Sequence, residues 1–206
     1  MSIAVQAADK PINDLGEPTW EIARLFPYQG AWSEEEYLAL DTNHLIEFDH
    51  GRLEFLPMPD ISHQRIVAFL YRLLWTYVSA RGLGEALFAP MPVRLWAKKY
   101  REPDILFLRA TRRQIRGSYV TPPYLVMEVV SPDDPDRDYV DKRREYAQAG
   151  IPEYWIVDPA RALVTVLRLA DDQYAVHGEF SPGTQATSSL LAGFTVPIDD
   201  LFAASE

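Results

Sequence analysis

Two acidic residues occupy positions in the sequence where charged side chains are rarely found. Glu128 lies inside an apolar run, residues 124–130, and Asp104 follows Pro103 directly before another apolar run. A carboxylate taken out of water is costly unless it is paired or changes its pKa. On neighbouring strands, the two carboxylates could hold one hard cation that prefers oxygen ligands. The alternative is that Asp104 is a turn residue and that Glu128 pairs with an arginine.

A lysine in the following segment could join this pair. Residues 138–149 form a predicted helix that Gly150 ends, and Asp138 and Lys142 lie four residues apart within it. Because a helix that follows a strand after a short loop folds back on the same sheet, Lys142 could reach the two acids. The alternative is an exposed Asp138–Lys142 salt bridge, which contributes only about 0.3–0.5 kcal/mol.

The usual signatures of several other enzyme classes are missing from the sequence. The chain has no cysteine, and it contains no GxSxG, GxGxxG or HExxH motif and no Walker lysine loop. Its four histidines (His44, His50, His63 and His177) are not spaced as metal ligands. These absences argue against serine hydrolases, dehydrogenases, nucleotide kinases and zinc proteases.

The hydrophobic pattern predicts both helices and strands. Ser33-Glu34-Glu35-Glu36 has the form of a capping box, and Asp49-His50-Gly51 is typical of a hairpin turn between two short strands. Residues 61–81 carry apolar side chains at helical spacing, and further strands are predicted at 86–88, 92–96, 104–108, 124–130, 153–157, 162–169, 173–177 and 194–197. We therefore expect a mixed sheet flanked by helices, an α/β fold bordering on α+β. Residues 1–30 would form an extended N-terminal arm, and residues 31–206 one domain.

Charge is distributed unevenly along the chain. The 206 residues include 20 Lys and Arg against 30 Asp and Glu, a net charge of -10, which disfavours loose binding of polyanions over the whole surface. Residues 94–116 reverse this balance around Asp104, with eight cations against two acids. This window could grip a phosphate backbone, and the alternative is a set of solvated loops. No apolar run approaches the roughly 20 residues of a membrane span, and no signal peptide is recognisable, so we expect a cytoplasmic protein.

Six segments of the sequence occur in a characteristic order: Ile46–Glu54, Ser62–His63, Pro103–Leu108, Val126–Pro132, Asp141–Tyr146 and Gly150–Pro159. Together they resemble the Uma-type family of restriction endonucleases, within the PD-(D/E)XK nuclease superfamily. The similarity runs from about Ser33 to Leu169. It implies a restriction-endonuclease-like fold and a nuclease site that uses Mg²⁺, with Mn²⁺ as an alternative.

The resemblance also suggests catalytic residues. Asp104 matches the motif aspartate and Glu128 the motif (D/E), which makes both of them predicted metal ligands. Val130 stands where the motif lysine is expected, and the resemblance points to Lys142 on the following helix as its replacement. Glu47 matches a further acid of the family, expected to bind a metal-bound water or a second ion. Weaker candidates for substrate binding are His63, Lys98, Lys99 and Arg101.

The implied activity is hydrolysis of DNA phosphodiester bonds by a Mg²⁺-dependent endonuclease. Cleavage of both strands of duplex DNA would favour a homodimer or higher homo-oligomer. One alternative is a nuclease-fold protein with a degraded site that serves as a nucleic-acid or protein interaction module. Another is an unrelated metal-dependent phosphohydrolase that acts on small nucleotides.

Overall fold

The computed structural model describes residues 26–42, 44–110 and 114–205. Most of the predicted N-terminal arm, residues 1–25, lies outside the described residues. Where the described chain begins, Gly30 donates its N–H to the carbonyl of Gly51 at 2.7 Å, and the side chain of Gln29 exchanges hydrogen bonds with the backbone of Leu53. This first stretch therefore lies against the predicted hairpin.

The elements follow the chain in an order that mixes strands and helices. They are α1 (Glu34–Leu38), β1 (Ile46–Asp49), β2 (Arg52–Phe55), α2 (Ile61–Ala80), β3 (Gly84–Phe88), β4 (Val93–Trp96), β5 (Lys99–Arg101), β6 (Ile105–Arg109), β7 (Ile115–Arg116), β8 (Tyr119–Val120), β9 (Leu125–Val129), a π-helical turn (Arg137–Lys142), α3 (Arg143–Gln148), β10 (Glu153–Asp158), β11 (Leu163–Ala170), β12 (Gln173–Phe180), β13 (Gln185–Thr187), β14 (Thr195–Pro197) and α4 (Ile198–Ala203). The sequence pattern did not predict β5, β7, β8 and β13, which are only two or three residues long.

A mixed six-stranded sheet forms the centre of the fold, with strand order β12-β11-β10-β9-β6-β3. Strands β9 and β10 are parallel, and the π-helical turn and α3 connect them, as a parallel pair requires. The other neighbouring pairs are antiparallel. All five residues of β9 are buried, as predicted for a strand covered on both faces. The predicted mixed sheet flanked by helices is confirmed.

A second six-stranded sheet, ordered β2-β1-β5-β4-β8-β7, carries the N-terminal hairpin. The turn residues His50 and Gly51 both have positive φ angles, 46° and 87°, as a type I′ hairpin turn requires. Gly51 also allows a close approach of the chain, since a Cβ there would lie 2.5 Å from the carbonyl oxygen of Gly30. β5 joins the hairpin to the rest of this sheet by pairing with β1 on one side and β4 on the other.

Two helices cover opposite faces of the central sheet. The buried side of α2 packs on one face through Ile66, Leu70 and Leu74, and α3 packs on the other through Tyr146 and Ala147. The capping box that Ser33 and Glu36 form at α1 is present as predicted. Within the described part of the chain, no helix has the length and apolar character needed to cross a membrane.

Candidate active site

The two predicted metal ligands meet where β6 begins and β9 ends. Antiparallel pairing of Ile105 with Met127 places Asp104 beside Glu128. The Asp104 carboxylate accepts a 2.7 Å hydrogen bond from the N–H of Val129, and the N–H of Asp104 lies 3.4 Å from Oε2 of Glu128. Because side chains alternate along a strand, Glu128 points to the face of the sheet that α3 covers. Strand register alone therefore brings the two acids together.

Lys142 reaches this pair from the π-helical turn. Its Nζ lies 3.0 Å from Oε2 of Glu128 and 2.9 Å from Oδ1 of Asp138. The hydroxyl of Tyr146 donates a 2.5 Å hydrogen bond to the other oxygen of Glu128, Oε1. All four side chains are buried. The Asp138–Lys142 pair is therefore part of the interior, unlike the exposed salt bridge that was the alternative.

His63 approaches the site from the opposite face of the sheet. Asp60 caps α2 by accepting a hydrogen bond from the N–H of His63, which fixes this residue in the first turn. The ring Nε2 then lies 3.2 Å from Oδ2 of Asp104. Burial opposes the charged form of His63, but the hydrogen bond to Asp104 and the charges of Asp104 and Glu128 raise its pKa overall. His63 thus contacts a predicted metal ligand and orients its carboxylate.

The candidate site, defined as Asp104, Glu128, Asp138 and Lys142, combines three carboxyl groups with one lysine. Burial is the main cause that raises the pKa of both Glu128 and Asp138, and neighbouring carboxylates add to it. Burial disfavours the charge of Lys142, but Glu128 and Asp138 raise its pKa above the ordinary value. Lys142 therefore remains an ammonium ion at neutral pH, and three carboxyl groups face one cation.

Glu47 belongs to a neighbouring cluster of buried and partly buried charges. We call this cluster the hairpin junction; its members are Glu47, Asp49, Glu54, Lys99, Arg101, Arg137 and Glu145. Oε2 of Glu47 forms ion pairs with Arg101 and Arg137, and Oε1 accepts a 3.1 Å hydrogen bond from the N–H of Glu102. Although burial disfavours its charge, Arg101, Lys142 and Arg137 lower the pKa of Glu47 to about 2.

The predicted substrate-binding cations lie in different environments. Lys99 is buried between Asp49 and Glu145, and Arg101 is buried against Glu47, Glu54 and Glu145. Neither cation has a free face for a phosphate, because each already compensates carboxylates. Lys98 is exposed in the β4–β5 turn.

The described cations of the basic window differ in their surroundings. Arg109 ends β6, five residues from Asp104, and an extended strand of this length spans roughly 16 Å. Arg94 is paired with Glu34 on α1. Residues 111–113, which include two of its arginines, lie outside the described residues.

Comparison with known proteins assigns the family. A sequence model of the Uma2 family, described as "Putative restriction endonuclease", matches residues 34–199. The chain belongs to the Uma2 family. This assignment supports a nuclease function in general terms. No curated protein sequence matches the chain.

A solved structure has the same fold as this Uma2 chain. It is the crystal structure of a protein from Anabaena variabilis described as a putative nuclease belonging to DUF820. The two chains superpose with a TM-score of 0.69 at 20% sequence identity, over 87% of this chain and 100% of the other. At this identity the likeness concerns the fold alone.

The Uma2 site has the donor chemistry that a divalent cation requires. Burial and neighbouring acids raise the pKa of Glu128 to about 8, and a divalent cation would favour its ionised form; Oδ1 of Asp104 has no hydrogen bond to the described residues. Over residues 26–42, 44–110 and 114–205, no three or more His, Asp or Glu side chains form a ready-made metal cage. Mg²⁺ often binds through one or two carboxylates and completes its shell with water and phosphate oxygens, so Asp104 and Glu128 fit it.

Three residues close to the site were not predicted as functional. Asp138 and Tyr146 touch Lys142 and Glu128 directly, and Arg137 ties the π-helical turn to the hairpin junction. The four-residue spacing of Asp138 and Lys142 was visible in the sequence, but spacing does not tell whether a helical pair faces solvent or core. No local signal in the sequence connects Arg137 to Glu47 or Glu54, because these contacts span more than 80 residues.

Proposed function

We propose that this Uma2 chain is a divalent-metal-dependent endonuclease that hydrolyses phosphodiester bonds in DNA. The observation that carries the proposal is the convergence on Glu128 of Asp104, through its backbone N–H at 3.4 Å, and of the Lys142 ammonium at 3.0 Å. The family assignment supports a nuclease in general, and the excess of buried carboxylates supports the use of a metal ion.

In this proposal Asp104 and Glu128 hold Mg²⁺ or Mn²⁺. The bound ion would act as a Lewis acid that polarises the scissile phosphate. Burial lowers the pKa of Lys142 but Glu128 and Asp138 raise it overall, and we assign its ammonium the role of offsetting the negative charge that develops on phosphorus-bound oxygens in the transition state. His63 orients the Asp104 carboxylate through their 3.2 Å contact.

For Glu47 we propose a role that differs from the predicted one. Two guanidinium groups and one backbone N–H compensate its charge and hold its pKa low, whereas the pKa of Glu128 is raised to about 8. We therefore propose that Glu47 positions the strands and the helical turn around the site and does not bind an ion. Lys98 stays a proposed phosphate contact, and a homodimer in the cytoplasm stays a prediction.

Plasmid cleavage tests this function. The wild-type protein is incubated with supercoiled plasmid in Mg²⁺, in Mn²⁺ and in EDTA, beside Asp104→Asn and Glu128→Gln. We expect cleavage only with a metal ion, and a loss of roughly 10³-fold or more in each variant, since metal-assisted charge stabilisation is worth several kcal/mol. Asp141→Asn is the control, because Asp141 lies next to Lys142 in the π-helical turn but forms an exposed pair with Arg144.

Two results would contradict the proposal. Cleavage that persists in EDTA would exclude the metal, and full activity of both variants would exclude the site. Metal binding without cleavage of plasmid or of a small phosphodiester would instead favour a nuclease fold that acts as an interaction module.

A further inference from the structure

Asp138 is a buried acid without a role in the proposed chemistry. Its side chain is about 5% exposed, and its carboxylate lies 2.9 Å from the ammonium of Lys142. Its backbone is held as well, because Tyr154 donates a 3.1 Å hydrogen bond to the carbonyl of Asp138. The preceding residue, Arg137, is paired with Glu47 and Glu54 of the hairpin junction. The π-helical turn is therefore held both at Arg137 and at Asp138.

Lys142 and a divalent cation would compete for the same carboxylate. The ammonium lies 3.0 Å from Oε2 of Glu128, and Tyr146 occupies Oε1 at 2.5 Å. A cation bound by Glu128 and Asp104 must share these oxygens with Lys142. Two positive groups at one carboxylate repel each other, and the repulsion is strong in a buried site with little water. Lys142 needs a second counter-ion if it is to stay in place.

We propose that Asp138 is a positioning residue that serves as this second counter-ion, holding the Lys142 ammonium when a divalent cation takes Glu128. The inference rests on the metal site of the proposed function. It has a specific consequence: Asp138 affects metal binding only through Lys142. Without Asp138, the Lys142 ammonium has only Glu128 as a counter-ion and competes with the metal for it. In a protein that already lacks Lys142, removing Asp138 releases no ammonium and should not change metal binding.

A double-mutant cycle on Mn²⁺ affinity tests this inference without using activity. The variants are Asp138→Asn, Lys142→Met and the double variant, and Mn²⁺ binding to the metal-free protein is followed by electron paramagnetic resonance in the absence of DNA. We expect Asp138→Asn to weaken Mn²⁺ binding by about tenfold, as is common for residues that orient metal ligands. We expect the double variant to bind Mn²⁺ as Lys142→Met does. Asp141→Asn, in the same π-helical turn, should bind as the wild type.

Each result decides between distinct roles. If Asp138→Asn weakens binding equally with and without Lys142, Asp138 is itself a metal ligand and the inference is overturned. Unchanged binding in Asp138→Asn overturns it too. If Asp138→Asn does not fold, the double variant, which removes both charges of the pair, is compared with Lys142→Met, and a weaker affinity in the double variant overturns the inference. Absence of Mn²⁺ binding by the wild type overturns the metal site and the inference together, whereas binding without plasmid cleavage overturns only the proposed function.

Discussion

The hairpin junction and the candidate site are both clusters of buried charge, but they are balanced differently. The junction has four carboxylates against three cations, whereas the site has three against one. Accordingly the pKa of Glu47 and of Glu145 is lowered by arginine partners despite burial, while burial raises the pKa of Glu128 and of Asp138. Glu47 and Glu128 are both almost completely buried, so the difference between them follows from their partners: cations outweigh acids around Glu47, and acids add to the effect of burial at Glu128.

This difference separates a structural cluster from one that can accept a ligand. In the junction, every carboxylate already has a guanidinium or ammonium partner from another element, and the ion pairs join the hairpin, β5 and α3. In the site, ionising Glu128 and Asp138 is costly in the protein alone, and a divalent cation would relieve that cost. We infer that the junction holds the elements in place and that the site is where stability is given up for function.

The largest expected effect follows from breaking the junction. Arg101→Met removes the guanidinium that contacts Glu47, Glu54 and Glu145 and leaves these acids undercompensated in the interior. We expect a loss of about 3–5 kcal/mol in the free energy of unfolding, measured by urea denaturation. Arg144→Met is the control, because the exposed Arg144–Asp141 pair should change stability by less than about 0.5 kcal/mol. A loss below about 1 kcal/mol in Arg101→Met would show that the junction does not hold the fold together.

The candidate site could be predicted in part from the sequence, but the hairpin junction could not. An acid inside an apolar strand and an acid directly before another already indicate a buried pair, and strand pairing brought Asp104 and Glu128 together as expected. The junction was not predicted, because β5 is a three-residue strand, Lys99–Arg101, with a cation at each end. Its burial results from pairing with β1 and β4, which is long-range information.

The basic window, residues 94–116, shows a second limit of prediction from local sequence. Cations that are close together along the chain were expected to surround Asp104, yet β6 carries Arg109 to its far end and β5 turns Arg101 inward. Clustering along a sequence gives the number of cations in a segment but not the direction of each side chain. Position in the sheet decides which of them can meet a phosphate.

The dependence of stability on acidic pH should reveal the compensated carboxylates of the hairpin junction. The pKa of Glu47 is lowered in the folded state to about 2 from its model-peptide range near 4.5. Its contribution to stability is therefore fully present above about pH 4.5 and is lost as the pH falls towards 2, up to about 3 kcal/mol. The measurement is the difference in the free energy of unfolding between wild type and Glu47→Gln at successive pH values. A difference that stays constant from pH 6 to pH 2 would contradict the assignment.

The smallest effect is expected from one hydroxyl group at the undercompensated site. Tyr146→Phe removes the 2.5 Å hydrogen bond to Glu128 and leaves the packing of the buried ring intact. Tyr174→Phe is a matched control, because its hydroxyl donates at 2.7 Å to the carbonyl of Ile151 and touches no charged group of the site. Both changes should cost about 1 kcal/mol of stability. Only Tyr146→Phe should weaken Mn²⁺ binding, since a ligand carboxylate loses the donor that orients it. Equal Mn²⁺ affinity in the two variants would mean that Glu128 is oriented by its strand and by Lys142 alone.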